Sequence, residues 1–94
     1  DLPTRYGLGS SIKNSIVGDG CIIDGEIENC VIFKGVKVCA GARVRNCVIM
    51  QDSVIGENAT LDYVVADKNT VFGAERTMAG YETYPVFVAK GSVV

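Results

Sequence analysis

Residues 21–61 read CIIDGEIENCVIFKGVKVCAGARVRNCVIMQDSVIGENATL. In this stretch a large aliphatic residue returns every four to six positions, and a small residue often stands two positions before it. Extending the pattern in both directions marks twelve positions: Ile12, Val17, Ile23, Ile27, Ile32, Val38, Val44, Ile49, Ile55, Leu61, Val65 and Val71. An amphipathic helix would repeat at about 3.6 residues and a plain strand at about two. A period near six therefore predicts short strands joined by tight corners.

Three such segments make one turn of a three-sided tube. The turns measure 15 residues from Ile12 to Ile27 and 17 residues from Ile27 to Val44 and from Val44 to Leu61. Stacked turns bury their apolar residues against one another, as in other solenoids. The sequence therefore predicts an all-β domain over residues 1–94: a parallel β-helix of about four coils at 10–73, a loop at 74–85 where the pattern breaks, and a terminal strand at 86–94.

The composition agrees with strands and removes several kinds of chemistry. Fourteen valines and eight isoleucines stand against three leucines, which favours strands over helices. Histidine is absent, so the chain supplies no imidazole base and no histidine metal ligand. The net charge of −2, the pI near 4.9 and the lack of an apolar run of about 20 residues predict no nucleic-acid or membrane partner.

The polar and sulfur-containing side chains form no recognisable catalytic or metal motif. The four cysteines are separated by 9, 9 and 8 positions without a C-x-x-C pair, so we expect free thiols that act as small apolar residues. Most carboxylates fall at predicted corners, where solvated turn residues are common. Arg43 and Arg45 could face an anion, but a surface pair is the simpler interpretation. No catalytic residue and no metal ligand is predicted.

One side of the predicted tube is apolar on its outer surface. The outward neighbours of the marked residues are Ser11, Glu26, Arg43 and Thr60 on the first side, and Ile22, Lys37, Val54 and Thr70 on the third. On the second side they are aliphatic, with two large apolar residues nearby, which gives the predicted interface: Ile16, Val31, Phe33, Val48, Met50 and Val64. A one-sided apolar column predicts packing on another domain or subunit.

The ordered set of motifs resembles the C-terminal β-helix domain of glucose-1-phosphate adenylyltransferase (ADP-glucose pyrophosphorylase), and in particular the second, regulatory subunit type of bacterial glycogen biosynthesis. The resemblance rests on Pro3-Thr4-Arg5-Tyr6, Asn14-Ser15-Ile16-Val17, the runs at 20–25, 28–36 and 49–58, Tyr84-Pro85 and residues 89–94. It implies a left-handed single-stranded β-helix, although the general preference for right-handed crossovers would favour the other hand.

The resemblance also implies a larger protein. The family carries an N-terminal nucleotidyltransferase domain in which glucose 1-phosphate attacks the α-phosphate of ATP, with magnesium, to give ADP-glucose. That domain is expected to lie outside this sequence, which begins at Asp1. The implied partners are the protein's own catalytic domain and a catalytic partner subunit in a homo- or hetero-oligomer in the cytoplasm. Lys68, in Asp67-Lys68-Asn69, matches a lysine near the family's activator pocket and is the candidate effector residue.

Two alternatives stay open at this point. One is the β-helix of another sugar-nucleotide pyrophosphorylase-like or exchange-factor subunit, such as a mannose-1-phosphate guanylyltransferase-type protein. The other is a hexapeptide acyltransferase, which the missing histidine disfavours because such enzymes use histidine as the base.

Overall fold

The computed structural model describes residues 2–94, and within that range it contains strands and turns but no helix. No helix long and apolar enough to cross a membrane is therefore found among these residues. The strands are short: β1 Arg5–Tyr6, β2 Ser11–Lys13, β3 Ile16–Val17, β4 Ile22–Ile23, β5 Glu26–Glu28, β6 Val31–Ile32, β7 Lys37–Val38, β8 Arg43–Arg45, β9 Val48–Ile49, β10 Val54–Ile55, β11 Thr60–Asp62, β12 Val64–Ala66, β13 Val71–Phe72, β14 Thr77–Ala79 and β15 Val86–Val88.

The strands form three parallel sheets of five, one on each side of the tube. Sheet A has the order β1-β4-β7-β10-β13, sheet B β2-β5-β8-β11-β14, and sheet C β3-β6-β9-β12-β15. Every third strand returns to the same sheet, and the chain completes four turns between β1 and β13. The predicted fold class is confirmed: the domain is a β-solenoid of about four turns, consistent with a left-handed β-helix of hexapeptide repeats.

A four-residue unit builds most corners. It begins with a residue of positive φ, continues with a small buried residue and an outward residue, and ends with a large inward residue. Asn46 (φ 54°) starts the unit that runs to Ile49, and Asp52 (φ 61°) starts the unit that runs to Ile55. Only glycine, asparagine and aspartate adopt positive φ readily. This restriction explains why these residue types precede most of the small residues in the sequence, with Tyr63 and Glu75 as the exceptions of positive φ.

The interior is a single apolar column closed by hydrogen bonds between turns. Its fully buried members include Ile23, Ile27, Ile32, Val38, Val44, Ile49, Ile55, Leu61 and Phe72. Backbone amides in one turn donate to carbonyls in the next, as from Val31 to Cys47 at 3.0 Å. Gly25 lies where two turns crowd, because a Cβ there would be 2.6 Å from the carbonyl oxygen of Ala42. Each turn is therefore held by contacts on both of its neighbours.

The sequence-based register was wrong by one residue in the fourth turn. Val65 and Val71 were expected to point inward, but Ala66 pairs with Ile49 and Phe72 pairs with Ile55, and both are fully buried. The expected outward residues Val64 and Thr70 are likewise buried, and they fill the small-residue corners. The reason is that register follows pairing with the turn below, whereas two adjacent aliphatic residues look equivalent in the sequence.

The boundaries also differ from the prediction at both ends. β1 precedes residue 10, where the coils were expected to start. The predicted loop 74–85 contains β14, which pairs with β11 and directs the partly buried Met78 at the core. The predicted terminal strand 86–94 ends at Val88, and after a turn Val93 makes an isolated bridge with Val71. Because the residues before Met78 are polar and exposed, the repeat could not be recognised there from the sequence.

Candidate functional site

The outer surface of sheet C carries an apolar column that runs the length of the solenoid. The register joins Ile16, Val31, Val48, Val65 and Phe87 in one row. Ile16 is 70% exposed and Phe87 is 72% exposed, whereas Val48 and Val65 are half-buried. Beside this row lie two more large apolar side chains. We define the apolar face as Ile16, Val31, Phe33, Val48, Met50, Val65 and Phe87.

The structure brings five of the six predicted interface residues together on the apolar face. They are Ile16, Val31, Phe33, Val48 and Met50. Val64 is the exception: it has no solvent exposure and fills the corner that Cys47 fills one turn earlier. Val65 holds the outward position instead, and Phe87 is a member that the sequence reasoning missed. Whether this face binds another domain or subunit stays a prediction.

A ladder of asparagines borders one edge of the apolar face. Asn14, Asn29 and Asn46 occupy equivalent positive-φ corners of successive turns. Asn14 donates a hydrogen bond to Oδ1 of Asn29, Asn29 donates to Asn46 at 3.2 Å, and Asn46 donates to Oδ1 of Asp62 at 3.0 Å. The ladder and the apolar residues beside it enclose a surface depression of about 550 Å³. This polar edge limits the apolar face on one side.

The opposite edge of the face is a corner that carries lysines. Backbone hydrogen bonds align five turn residues along it: Asp19, Lys34, Gln51, Lys68 and Lys90. Lys68 is exposed, and its amide donates to Oδ1 of Asp67 at 2.7 Å. The predicted effector residue is thus a solvent-exposed lysine at the border of the apolar face. Its binding role stays a prediction.

Sheet B offers the contrast of a solvated polar surface. Arg43 lies 3.8 Å from Glu26 and Arg45 lies 3.9 Å from Glu28, and all four side chains are about half exposed. Exposed pairs of this kind contribute only about 0–1 kcal/mol. The two arginines face carboxylates on the neighbouring strand, as the simpler interpretation predicted.

Three of the four thiols belong to the interior, and Cys39 is partly exposed. All four cysteines are free, and Cys30 and Cys47 stack at equivalent corners of adjacent turns. The interaction with the neighbouring thiol lowers the pKa of Cys30 and raises that of Cys47, and burial raises the Cys47 pKa further. Residues 2–94 contain no cluster of histidine, cysteine, aspartate and glutamate side chains that could hold a metal ion.

Comparison with known families and proteins gives consistent matches. The family described as "GlmU-like, C-terminal hexapeptide" matches residues 4–84. The chain is 43% identical over 91 residues to "Glycogen biosynthesis protein GlgD" of Bacillus subtilis, covering 97% of this chain and 26% of that protein. It is 38% identical over 84 residues to "Glucose-1-phosphate adenylyltransferase" of Acetivibrio thermocellus, covering 88% of this chain and 20% of that protein. The chain thus spans about a quarter or less of the length of these relatives.

A solved structure shares the architecture at low sequence identity. The acetyltransferase domain of PglB from Neisseria gonorrhoeae superposes with a TM-score of 0.66 and 16% identity, covering 99% of this chain and 54% of that one. Identity at this level shows the solenoid fold alone. It carries no argument for acetyl transfer, and this chain has no histidine that could act as the base.

Proposed function

Because the chain belongs to the GlmU-like C-terminal hexapeptide family, we propose that it is the C-terminal assembly domain of a glucose-1-phosphate adenylyltransferase-type protein that serves glycogen biosynthesis. In this role the β-solenoid binds the catalytic domain of its own protein and a catalytic partner subunit. The catalytic domain, with magnesium, would make ADP-glucose from ATP and glucose 1-phosphate in the cytoplasm. The apolar face is the single observation that carries the assembly role.

The apolar face has the composition and the position of an interface. Ile16, Val31, Phe33 and Phe87 expose between 37% and 72% of their surface on one side of a small domain. The asparagine ladder and the lysine-bearing corner border them. Contiguous apolar surface with a polar border is typical of protein interaction sites. Sheet B, which carries alternating charges, has no comparable surface and is suited to face water.

The experiment places charge on the apolar face without touching the core. Val31→Lys and Val48→Lys are combined in the full-length protein, which is then mixed with its catalytic partner subunit. Lys37 already occupies the equivalent outward position of sheet A, so the solenoid accommodates an outward lysine. Thr60→Lys on the exposed face of sheet B is the matched control.

The expected result is loss of the complex in size-exclusion chromatography with light scattering, together with a fall in ADP-glucose formation. The Thr60→Lys protein should assemble and turn over as the parent does. Circular dichroism verifies that both variants keep their strands. If the double variant assembles with unchanged size and activity, the assembly role of this face is wrong.

We further propose that Lys68 contributes to binding of an anionic effector at the border of the face. Lys68 is exposed, and the same corner carries Lys90 one turn later and Lys34 two turns earlier. The test compares Lys68→Ala with Lys13→Ala on sheet B while ADP-glucose formation is titrated with glucose 6-phosphate and with inorganic phosphate. A response that is unchanged in Lys68→Ala would remove this residue from the site.

A further inference from the structure

The corner between β14 and β15 contains five residues more than the equivalent corners. Arg45 and Val48 are three positions apart, as are Asp62 and Val65 one turn later. Their counterparts in the next turn, Ala79 and Phe87, are eight positions apart. Because the other turns close without this insertion, the fold does not require it. The inserted residues therefore need an explanation outside the packing of the solenoid.

The insertion is a small ordered hairpin. The amide of Tyr81 donates to the carbonyl of Tyr84 at 3.1 Å, and the amide of Tyr84 donates back to Tyr81 at 2.9 Å. Backbone hydrogen bonds fix the base of the hairpin to the preceding turn. The amide of Gly80 donates to the carbonyl of Asp62 at 2.8 Å, and the amide of Val86 donates to the carbonyl of Tyr63 at 3.0 Å. The hairpin thus holds its two tyrosines at defined positions beside β15.

The hairpin and β15 together present three aromatic rings to solvent. Tyr81 is 75% exposed, Tyr84 is 78% exposed and Phe87 is 72% exposed. These rings line one open depression of about 400 Å³ together with Pro85 and neighbouring backbone. The three exposed aromatic rings around this depression form an apolar platform, and the two tyrosines add phenolic hydroxyl groups to it.

The single charge on the hairpin disfavours anionic ligands. Glu82 is the one charged residue between Ala79 and Phe87. A phosphate or a nucleotide would meet this carboxylate and find no basic partner within the hairpin. A neutral polyhydroxylated ligand fits better: the C–H faces of a sugar ring pack on aromatic rings, and Glu82 and the phenolic groups can accept or donate hydrogen bonds to its hydroxyl groups.

We propose that Tyr81 and Tyr84, on the hairpin beside the apolar face, form a binding site for a neutral α-glucan chain. This inference rests on the proposed function, because a protein that serves glycogen biosynthesis works where such chains are made. The site would hold the protein near the polymer. It takes no part in nucleotidyl transfer and requires no covalent step.

The test measures binding of maltoheptaose and of glycogen to the full-length protein. Calorimetry with maltoheptaose and gel retardation in glycogen-containing native gels are expected to show binding. Tyr84→Ala should weaken the affinity about tenfold, because it removes one of the rings on which a sugar can pack. The matched control is Tyr6→Ala, which removes a half-exposed tyrosine from β1 at the other end of the solenoid.

The results distinguish this inference from the proposed function. Loss of glucan binding in Tyr84→Ala, with unchanged assembly and ADP-glucose formation, supports the glucan site. Absence of binding in the parent protein, or equal weakening in Tyr6→Ala, overturns it and leaves the assembly role untouched. If Tyr84→Ala instead loses its catalytic partner while glucan binding persists, the hairpin is part of the subunit interface and the glucan site is wrong.

Discussion

Val64 and Val65 are adjacent valines on opposite surfaces of β12, and they offer a direct test of the register. Val64 has no exposure and fills a corner of the interior, whereas Val65 lies outward between Val48 and Phe87. The perturbation is the same in both cases: Val64→Ala or Val65→Ala. Each removes two methyl groups from the same strand, so differences in strand propensity cancel.

The structure predicts a large difference between the two variants. Two buried methyl groups are worth about 1.6 kcal/mol of transfer free energy, and the cavity left behind raises the cost for Val64→Ala to about 2–3 kcal/mol. Val65→Ala should cost below about 1 kcal/mol, because its side chain is only half-buried and water can replace the lost contact. For a domain of this size the Val64→Ala protein should melt roughly 10–20 °C below the parent.

The assay is thermal and urea unfolding followed by circular dichroism. The dependence of the unfolding free energy on urea concentration (the m-value) must be compared as well as the midpoint, because solenoids can lose cooperativity between turns. Equal destabilisation of the two variants, or a larger effect of Val65→Ala, would refute the register and with it the assignment of Val65 to the apolar face.

Three further predictions follow from the corners. Gly25→Ala should destabilise the domain by more than about 2 kcal/mol in urea unfolding, because its Cβ would lie 2.6 Å from the Ala42 oxygen, whereas Gly9→Ala, whose nearest contact is 3.5 Å, should change it little; similar losses would contradict the crowding. Asn29→Ala should cost about 1–2 kcal/mol by the same measurement and Asn29→Gly less, because glycine adopts the positive φ of 53° without strain; equal losses would show that the ladder hydrogen bonds, which both variants lack, dominate over the backbone conformation. Native alkylation mapped by mass spectrometry should label the partly exposed Cys39 first, and with rising pH Cys30 should ionise before Cys47; early labelling of Cys47 would contradict its burial.

Much of the architecture could be predicted from the sequence because the constraint is local and repeated. The lengths of the first three turns and the polar character of sheet B follow from the spacing of Ile12, Ile27, Val44 and Leu61, and the structure pairs these residues in that order. Each inward aliphatic residue is separated from the next by a corner that only a few residue types can form. Spacing and corner chemistry therefore give the same answer over most of the chain.

The error in the fourth turn has a physical cause that the sequence partly conceals. Val64 and Val65 are two valines in succession, but the inward position that Ile49 holds one turn earlier is taken by the smaller Ala66. Hydrophobicity alone selects Val65, but the hydrogen bonds to β9 select Ala66.

A signal for the right register was nevertheless present. Asn14, Asn29 and Asn46 each stand three positions before an inward residue, and Tyr63, with a φ of 53°, takes the fourth place in that series. A tyrosine in this conformation conceals the corner, because bulky residues rarely adopt positive φ.

The functional surface was predictable to the extent that it follows from register. Ile16, Val31 and Val48 were assigned correctly to one side because they precede inward residues in turns of regular length. Phe87 could not be assigned, because the hairpin at Tyr81 and Tyr84 breaks the count of residues between sheets B and C. The same irregularity that defeats the periodic argument places aromatic rings at the end of the apolar face. A departure from the repeat, such as this hairpin, therefore indicates residues that the solenoid does not need for folding. Such residues are the first candidates for a function.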